Sequence, residues 1–160
     1  MTQIVNQVNT NAMDTQNREP ILDMIYMSHL YLQEMESTPR DYGTGDLLYA
    51  SHIHTVVAVG KSPGCNLTEL AARLSISKAA VSKFVAKLLK MGYLFKSKRV
   101  DNNREVIFNL TKKGQTAALG HQEFEDRTFG PLFEIESALP ERDYQVIRDY
   151  FQKIRSTAGK

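Results

Sequence analysis

Residues 67 to 113 read LTELAARLSISKAAVSKFVAKLLKMGYLFKSKRVDNNREVIFNLTKK, and this stretch restricts the fold more than any other part of the chain. It orders a short capped helix, a tight corner, a longer basic helix and a basic two-stranded hairpin, with no spare residues between them. Asn66 can cap the first helix, and Glu69 at its third position completes a capping-box pattern. Leu67, Leu70, Ala71 and Leu74 then fall at i, i+3, i+4 and i+7 and form one buried stripe. Ser75-Ile76-Ser77 is too short for a loop and suits a helix-turn-helix corner, with Ile76 turned to the core and Ser77 capping the second helix.

In that second helix Val81, Phe84, Val85 and Leu88 are expected inside, and Lys78, Ser82, Lys83 and Lys87 outside. Ala79 and Ala80 are small enough to let the helix approach base edges closely, Ser82 can donate or accept, and Lys78 and Lys83 can reach guanine edges or phosphates. Gly92 ends the helix. Two strand-like runs follow, Tyr93 to Arg99 and Glu105 to Leu110, with Val106, Phe108 and Leu110 alternating onto one face. The Val100 to Arg104 segment between them is a hairpin tip, since Asp and Asn tolerate turn geometry. A basic hairpin beside a reading helix is a wing, and its Arg104 would probe a narrow minor groove. Expected DNA contacts are therefore Ser77, Lys78, Ala79, Ala80, Ser82, Lys83 and Lys87 from the helix, with Lys98, Arg99, Asn102, Asn103 and Arg104 from the hairpin. Thr111 caps the next helix.

Charge is distributed to match. Residues 67 to 113 hold eleven Lys/Arg against three Asp/Glu, a local balance of +8, while the rest of the chain stands at −6. One concentrated basic segment in an otherwise acidic chain is the footprint that phosphate backbones select.

Five pieces of this stretch resemble the MarR-type winged-helix regulators: Leu67-Thr68-Glu69-Leu70-Ala71, Ser77-Lys78-Ala79-Ala80-Val81-Ser82-Lys83, Gly92-Tyr93-Leu94, the Asp101 to Arg104 tip, and Leu110-Thr111-Lys112-Lys113-Gly114. The resemblance implies a homodimeric transcription regulator. Its helix beginning at Ser77 would enter the major groove of a double-stranded DNA operator and its wing arginine the minor groove. The family's wing often carries Asp-x-Arg, the acid bracing the basic residue, whereas Asn102 and Asn103 here separate Asp101 from Arg104. The resemblance also leaves room for a small-molecule effector of unspecified chemistry between reading and dimerisation helices.

The remaining residues supply the outer helices of a mainly α (α+β) fold, a winged helix-turn-helix domain with a helical dimerisation region formed by N- and C-terminal helices. Residues 1–16, rich in Asn, Gln and Thr, are expected to form a flexible arm. Residues 17–46 hold a first dimerisation helix, from about Asn17 to Ser37 with Pro20 in its first turn, and a Pro/Gly-containing connector. That helix is apolar nearly all round, so a second subunit is expected to cover what its own domain leaves bare. The winged core occupies 47–111 and opens with a helix from near Ser51 that buries Ile53, Val56, Val57 and Val59. Residues 112–160 form two more dimerisation helices, the first bent or weakened at Gly130-Pro131, the second opened by Pro140. Expected interface residues are Ile21, Leu22, Ile25 and Leu32 at one end and Ile147, Tyr150, Phe151 and Ile154 at the other. A two-fold dimer would set two reading helices roughly 34 to 36 Å apart over a pseudo-palindrome.

Catalysis finds little support. There is no Ser/His/Asp order or glycine-rich cofactor turn, and Gly43-Thr44-Gly45 lacks the lysine and preceding strand of a phosphate loop. Neither an enzyme nor a cofactor is expected. His52 and His54 diverge by about 200° on a helix and cannot chelate one metal from one face. Some relatives sense zinc through such helices, which keeps open an intersubunit site pairing one of the histidines His29, His52 or His54 with His121 or a nearby carboxylate, although satisfied interface histidines are favoured and no metal is assigned. Cys65 does not match the reactive cysteine of peroxide-sensing relatives, and a single cysteine excludes an internal disulfide. With no apolar run approaching the ~18 residues of a membrane span and no apolar signal core, a cytoplasmic location without a membrane partner is expected. The rival reading is a winged helix used as a protein-interaction adaptor, and the basic surface speaks against it.

Overall fold

The computed structural model describes residues 19–100, 102 and 104–157; the expected arm at 1–16, Asp101 and Asn103 lie outside the described residues. The chain divides into two compact units, Met1–Pro39 and Arg40–Lys160.

Among the described residues of the first unit, the helix α1 (Ile21–Ser37) begins one residue after Pro20. Pro20 is the cap rather than part of the first turn: its carbonyl accepts from the amides of Asp23 (3.0 Å) and Met24 (3.2 Å). Ile21, Leu22, Tyr26, Met27 and Tyr31 are each more than half exposed, and Ile25 and Met35 are half-buried. No residue of α1 is buried by its own chain among the described residues.

The second unit opens with a feature that the Thr38 to Asp46 connector did not announce. Two short strands, β1 (Arg40–Asp41) and β2 (Leu47–Leu48), pair antiparallel with Arg40 opposite Leu48. Asp41 closes the turn between them, its Oδ1 accepting from the amides of Thr44 (2.8 Å) and Gly45 (3.0 Å). Leu48 thereby enters the core at 1% exposure.

The helix α2 (Ala50–Lys61) is the central element and packs against α3 (Leu67–Leu74), α4 (Lys78–Lys90), β4 (Val106–Leu110) and α5 (Lys112–Ala138). Ile53, Val56 and Val59 are fully buried, together with Thr55, whose hydroxyl is satisfied by the carbonyl of Ser51 at 2.7 Å. Val57 departs from expectation: it is half-buried, because the helix is covered on the Thr55 and Ala58 faces instead.

The α3 capping box forms as the sequence requires. Asn66 Oδ1 accepts from the Glu69 amide (2.9 Å), and Glu69 Oε2 from the Asn66 amide (2.8 Å). The corner is different in detail. Ser75 adopts the left-handed conformation, φ 53°, and the Ile76 amide bonds back to the Ala71 carbonyl at 3.2 Å. Backbone bonds close the turn, so Ile76 is not needed in the core and stands 39% exposed. Ser77 caps α4 by accepting from the Ala80 amide at 3.2 Å. Ser77→Ala is therefore expected to destabilise the unit by about 1 kcal/mol, measurable as a lower urea midpoint with unchanged slope.

After Gly92 at φ +78°, β3 (Leu94–Lys98) and β4 pair antiparallel with Leu94 opposite Leu110 and Lys98 opposite Val106. Phe108 is buried and Leu110 half-buried, but Val106, at the outer end of the hairpin, is 44% exposed. Helix α5 runs unbroken through Pro131, and α6 (Glu141–Thr157) follows with the Pro140 carbonyl accepting from Asp143 and Tyr144. Its Ile147 and Phe151 are nearly half exposed, while Tyr150 and Ile154 are half-buried.

Candidate nucleic-acid interface

One face of α4 holds it to the protein and the other is left open. Val81, Val85 and Leu88 are buried, and Phe84 packs edge-on against His52, ring centroids 5.4 Å apart. Lys78, Ala79, Ser82, Lys83 and Lys87 are exposed, and Ala80 is half-buried beside the cap. These exposed residues form a surface of small side chains ringed by ammonium groups.

The hairpin adds a second basic element. Lys96, Lys98, Asn102 and Arg104 are exposed. At its tip Asn102 Oδ1 accepts from the Arg104 amide at 3.2 Å, while the Glu105 amide donates to the Asn102 carbonyl at 2.9 Å. Asn102 thus shapes the turn from which Arg104 departs. Asn103, and the Asp101 brace that the family pattern would supply, lie outside the described residues.

Arg99 differs from the other predicted contacts. Its side chain is turned inward, with Nε 2.7 Å from Glu105 Oε2 and Nη2 3.7 Å from Glu69 Oε1. The guanidinium thus lies beside two carboxylates while its side chain stays about 35% exposed.

Two further groups lie next to α4 in roles that the sequence did not announce. Tyr93, fully buried, donates its hydroxyl to Asp46 Oδ2 at 3.0 Å and lies 2.6 Å from Thr44 Oγ1. Lys113 Nζ is 2.6 Å from the same Asp46 oxygen and donates to the Met91 carbonyl at the end of α4. The Lys113 hydrogen bond holds the Asp46 carboxyl below its ordinary range, and Asp46 in turn raises Lys113. This knot joins the β1–β2 turn, the end of α4 and the start of α5.

The second group is His52, 9% exposed, with Nδ1 lacking a hydrogen-bond partner among the described residues. Burial, and next the charge of Lys87, push its pKa below the ordinary imidazole value of 6.5. His121, also buried, is lowered by desolvation against the opposing pull of Glu125. The folded state then binds fewer protons than the unfolded chain just below pH 6.5, so a stability penalty is absent above that pH and grows as pH falls toward the folded pKa values. Urea midpoints are expected to decline from neutral to mildly acidic pH, and His52→Gln should flatten part of that decline.

The rings of His54 and His121 meet across α2 and α5 at 5.4 Å, and His121 Nδ1 lies 3.5 Å from Glu125. Among the described residues no group of three or more His, Cys, Asp or Glu could hold a metal ion. Cys65 is 4% exposed, and burial pushes its thiol pKa up, which favours the protonated form. Between α2, β4 and α5 there is a cavity of about 720 Å³ lined by Lys61, Leu110, Ala118, His121, Gln122 and Glu125 among others.

Comparison with known proteins decides which helix-turn-helix this is. Residues 48–106 match the model of the MarR family. They form a MarR-family winged helix. The chain is 36% identical over 101 residues to the uncharacterized HTH-type transcriptional regulator YvnA of Bacillus subtilis, covering 63% of this chain and 64% of that protein. It spans between about half and two thirds of the length of the curated relatives YhjH, YvnA and PchR. Among solved structures, Lactococcus lactis ZitR in complex with DNA superposes with a TM-score of 0.69 at 17% identity, over 88% of this chain and 99% of ZitR. The adhesin competence repressor AdcR of Streptococcus pyogenes gives 0.69 at 19% identity, over 88% and 98%. At these identities the structural likeness speaks for the fold, and it extends beyond the matched MarR-family segment to most of the chain.

Proposed function

We propose that the protein is a sequence-specific transcriptional regulator that binds a pseudo-palindromic operator as a homodimer, represses by occluding the promoter, and is released by an effector. The observation that carries this reading is the exposed Ser77, Lys78, Ser82, Lys83 and Lys87 face of α4, lying in one unit with the exposed Lys96, Lys98 and Arg104 of the hairpin. A helix presenting small and basic residues suits a major groove, and an arginine at a hairpin tip suits the adjacent minor groove. MarR-family ZitR and the FabT protein of Streptococcus pneumoniae have both been solved in complex with DNA.

Homodimerisation is supported by unburied apolar surface. Ile21, Leu22 and Leu32 on α1, and Ile147 and Phe151 on α6, are exposed to between 44% and 58%, and Ile25, Tyr150 and Ile154 are half-buried. Each of these helices, with no buried residue of its own among the described residues, presents apolar side chains that a second copy would cover. Effector control is supported by the cavity beside α2, large enough for a small organic molecule.

The test is a salt series on mixed-sequence duplex DNA. Affinity is expected to fall steeply, with a log-log slope of about −0.9 for each phosphate neutralised. A protein-interaction adaptor would show a slope near zero, and that outcome would overturn the reading.

A further inference from the structure

Four residues close a ring at the root of the hairpin, three links through side chains and one through the Asn66 backbone amide. Asn66 Nδ2 donates to Glu105 Oε1, the other Glu105 oxygen pairs with Arg99 Nε at 2.7 Å, and Arg99 Nη2 lies 3.7 Å from Glu69 Oε1. Glu69 Oε2 accepts from the Asn66 amide at 2.8 Å and completes the circuit. Arg99 Nη2 also reaches the Gly64 carbonyl at 3.5 Å. The backbone reinforces this join: the Gly64 amide donates to the Phe108 carbonyl (3.0 Å) and the Phe108 amide to the Cys65 carbonyl (2.9 Å), so the segment entering α3 lies along β4.

We propose that Arg99 is a positioning residue for the wing rather than a DNA contact, and that the Asn66–Glu105–Arg99–Glu69 ring fixes the direction in which Arg104 leaves the hairpin. This rests on the DNA-binding reading above and adds to it what sets the wing. An isolated two-stranded hairpin is marginal in water and needs an external support to hold one orientation. The ring ties Glu105, the immediate neighbour of Arg104, to the capped end of α3, which itself packs against α4. Reading helix and wing then share one frame. Glu105 has both oxygens engaged, so it cannot swing without breaking two contacts at once.

The charges make the inference testable by sign. Removing an acid from a DNA-facing hairpin should strengthen binding by simple Coulomb reasoning. If Glu105 instead anchors the wing, Glu105→Gln weakens it. Arg99→Lys keeps the charge but loses the planar fork that reaches both carboxylates.

The experiment measures wild type, Arg99→Lys, Glu105→Gln, Arg104→Ala and Glu105→Gln/Arg104→Ala on a duplex selected from a random pool by the wild-type protein, with folding followed by circular dichroism. Glu105→Gln and Arg99→Lys are each expected to lose roughly tenfold in affinity while remaining folded, and the Glu105→Gln loss should shrink to below about twofold in the Arg104→Ala background, since coupled residues are not additive. Wild-type affinity in Arg99→Lys, tighter binding by Glu105→Gln, or full additivity with Arg104→Ala would each overturn the positioning role while leaving DNA binding intact. A wild-type protein that selects no duplex and shows no salt dependence would remove the DNA reading itself, and the positioning role with it.

Discussion

Gly114→Ala is expected to destabilise the second unit by about 3 kcal/mol, although alanine is the better helix former by ~1 kcal/mol. The reason is a backbone carbonyl. A Cβ at Gly114 would stand 2.2 Å from Tyr93 O and 3.2 Å from Leu110 Cδ2. That oxygen cannot easily step aside, because the Thr111 amide donates to it at 3.0 Å and the Thr111 hydroxyl, whose hydrogen bond to the Gly92 carbonyl is 2.6 Å, lies 3.1 Å away. The same hydroxyl caps α5 by accepting from the Gly114 amide at 3.1 Å, so moving the helix away would break the cap that starts it. Gly130 is the internal control: it lies in the same helix with nothing within 4 Å of a built Cβ. Because Pro131 follows, a Cβ at Gly130 crowds the proline ring and offsets the usual helical gain, so Gly130→Ala should change stability by less than about 1 kcal/mol. Urea unfolding of the two variants with a common slope checks the difference, and equal midpoints would refute the packing argument.

That pair of glycines marks where the sequence stops being legible. Local signals were readable because they act through neighbours in the chain: Asn66 with Glu69, Ser77 before α4, Gly92 after it, and Thr111 before α5 all occupy the roles their residue types suggest. The inward face of α4 was readable for the same reason, from the spacing of Val81, Val85 and Leu88. What could not be read depends on contacts across tens of residues. Nothing near Gly114 announces the Tyr93 carbonyl, nothing near Asp46 announces Lys113, and the turn held by Asp41 looked like a simple connector. Ile76 failed for another reason: its apolar character suggested burial, but a left-handed Ser75 let the backbone close the corner alone.

The site shows the same division. Exposure of Lys78, Ser82, Lys83 and Lys87 followed from helical period, whereas Arg99 was grouped with the hairpin cations on charge alone. Its pairing with Glu69 spans thirty positions and has no local signature. The positioning role proposed for Arg99 therefore rests on a contact that the sequence could not announce.

Lys83→Ala and Arg104→Ala are expected to weaken DNA binding in distinguishable ways. Lys83 is exposed on α4 and Arg104 at the hairpin tip; in the proposed docking the first meets a base edge and the second the minor groove. Losing a base-edge contact should cost about 1 to 3 kcal/mol on the selected duplex and much less on a mismatched one, so Lys83→Ala narrows the gap between the two. Losing a largely sequence-independent contact lowers both affinities together, and the salt slope of Arg104→Ala should flatten by about 1. Neither side chain makes an ion pair within the chain among the described residues, so both variants should unfold at wild-type denaturant concentrations, which separates lost recognition from lost fold. Unchanged binding by both would remove α4 and the wing from the interface. A reversed pattern, uniform loss from Lys83→Ala and relaxed choice from Arg104→Ala, would instead mean that sequence is read chiefly by the hairpin.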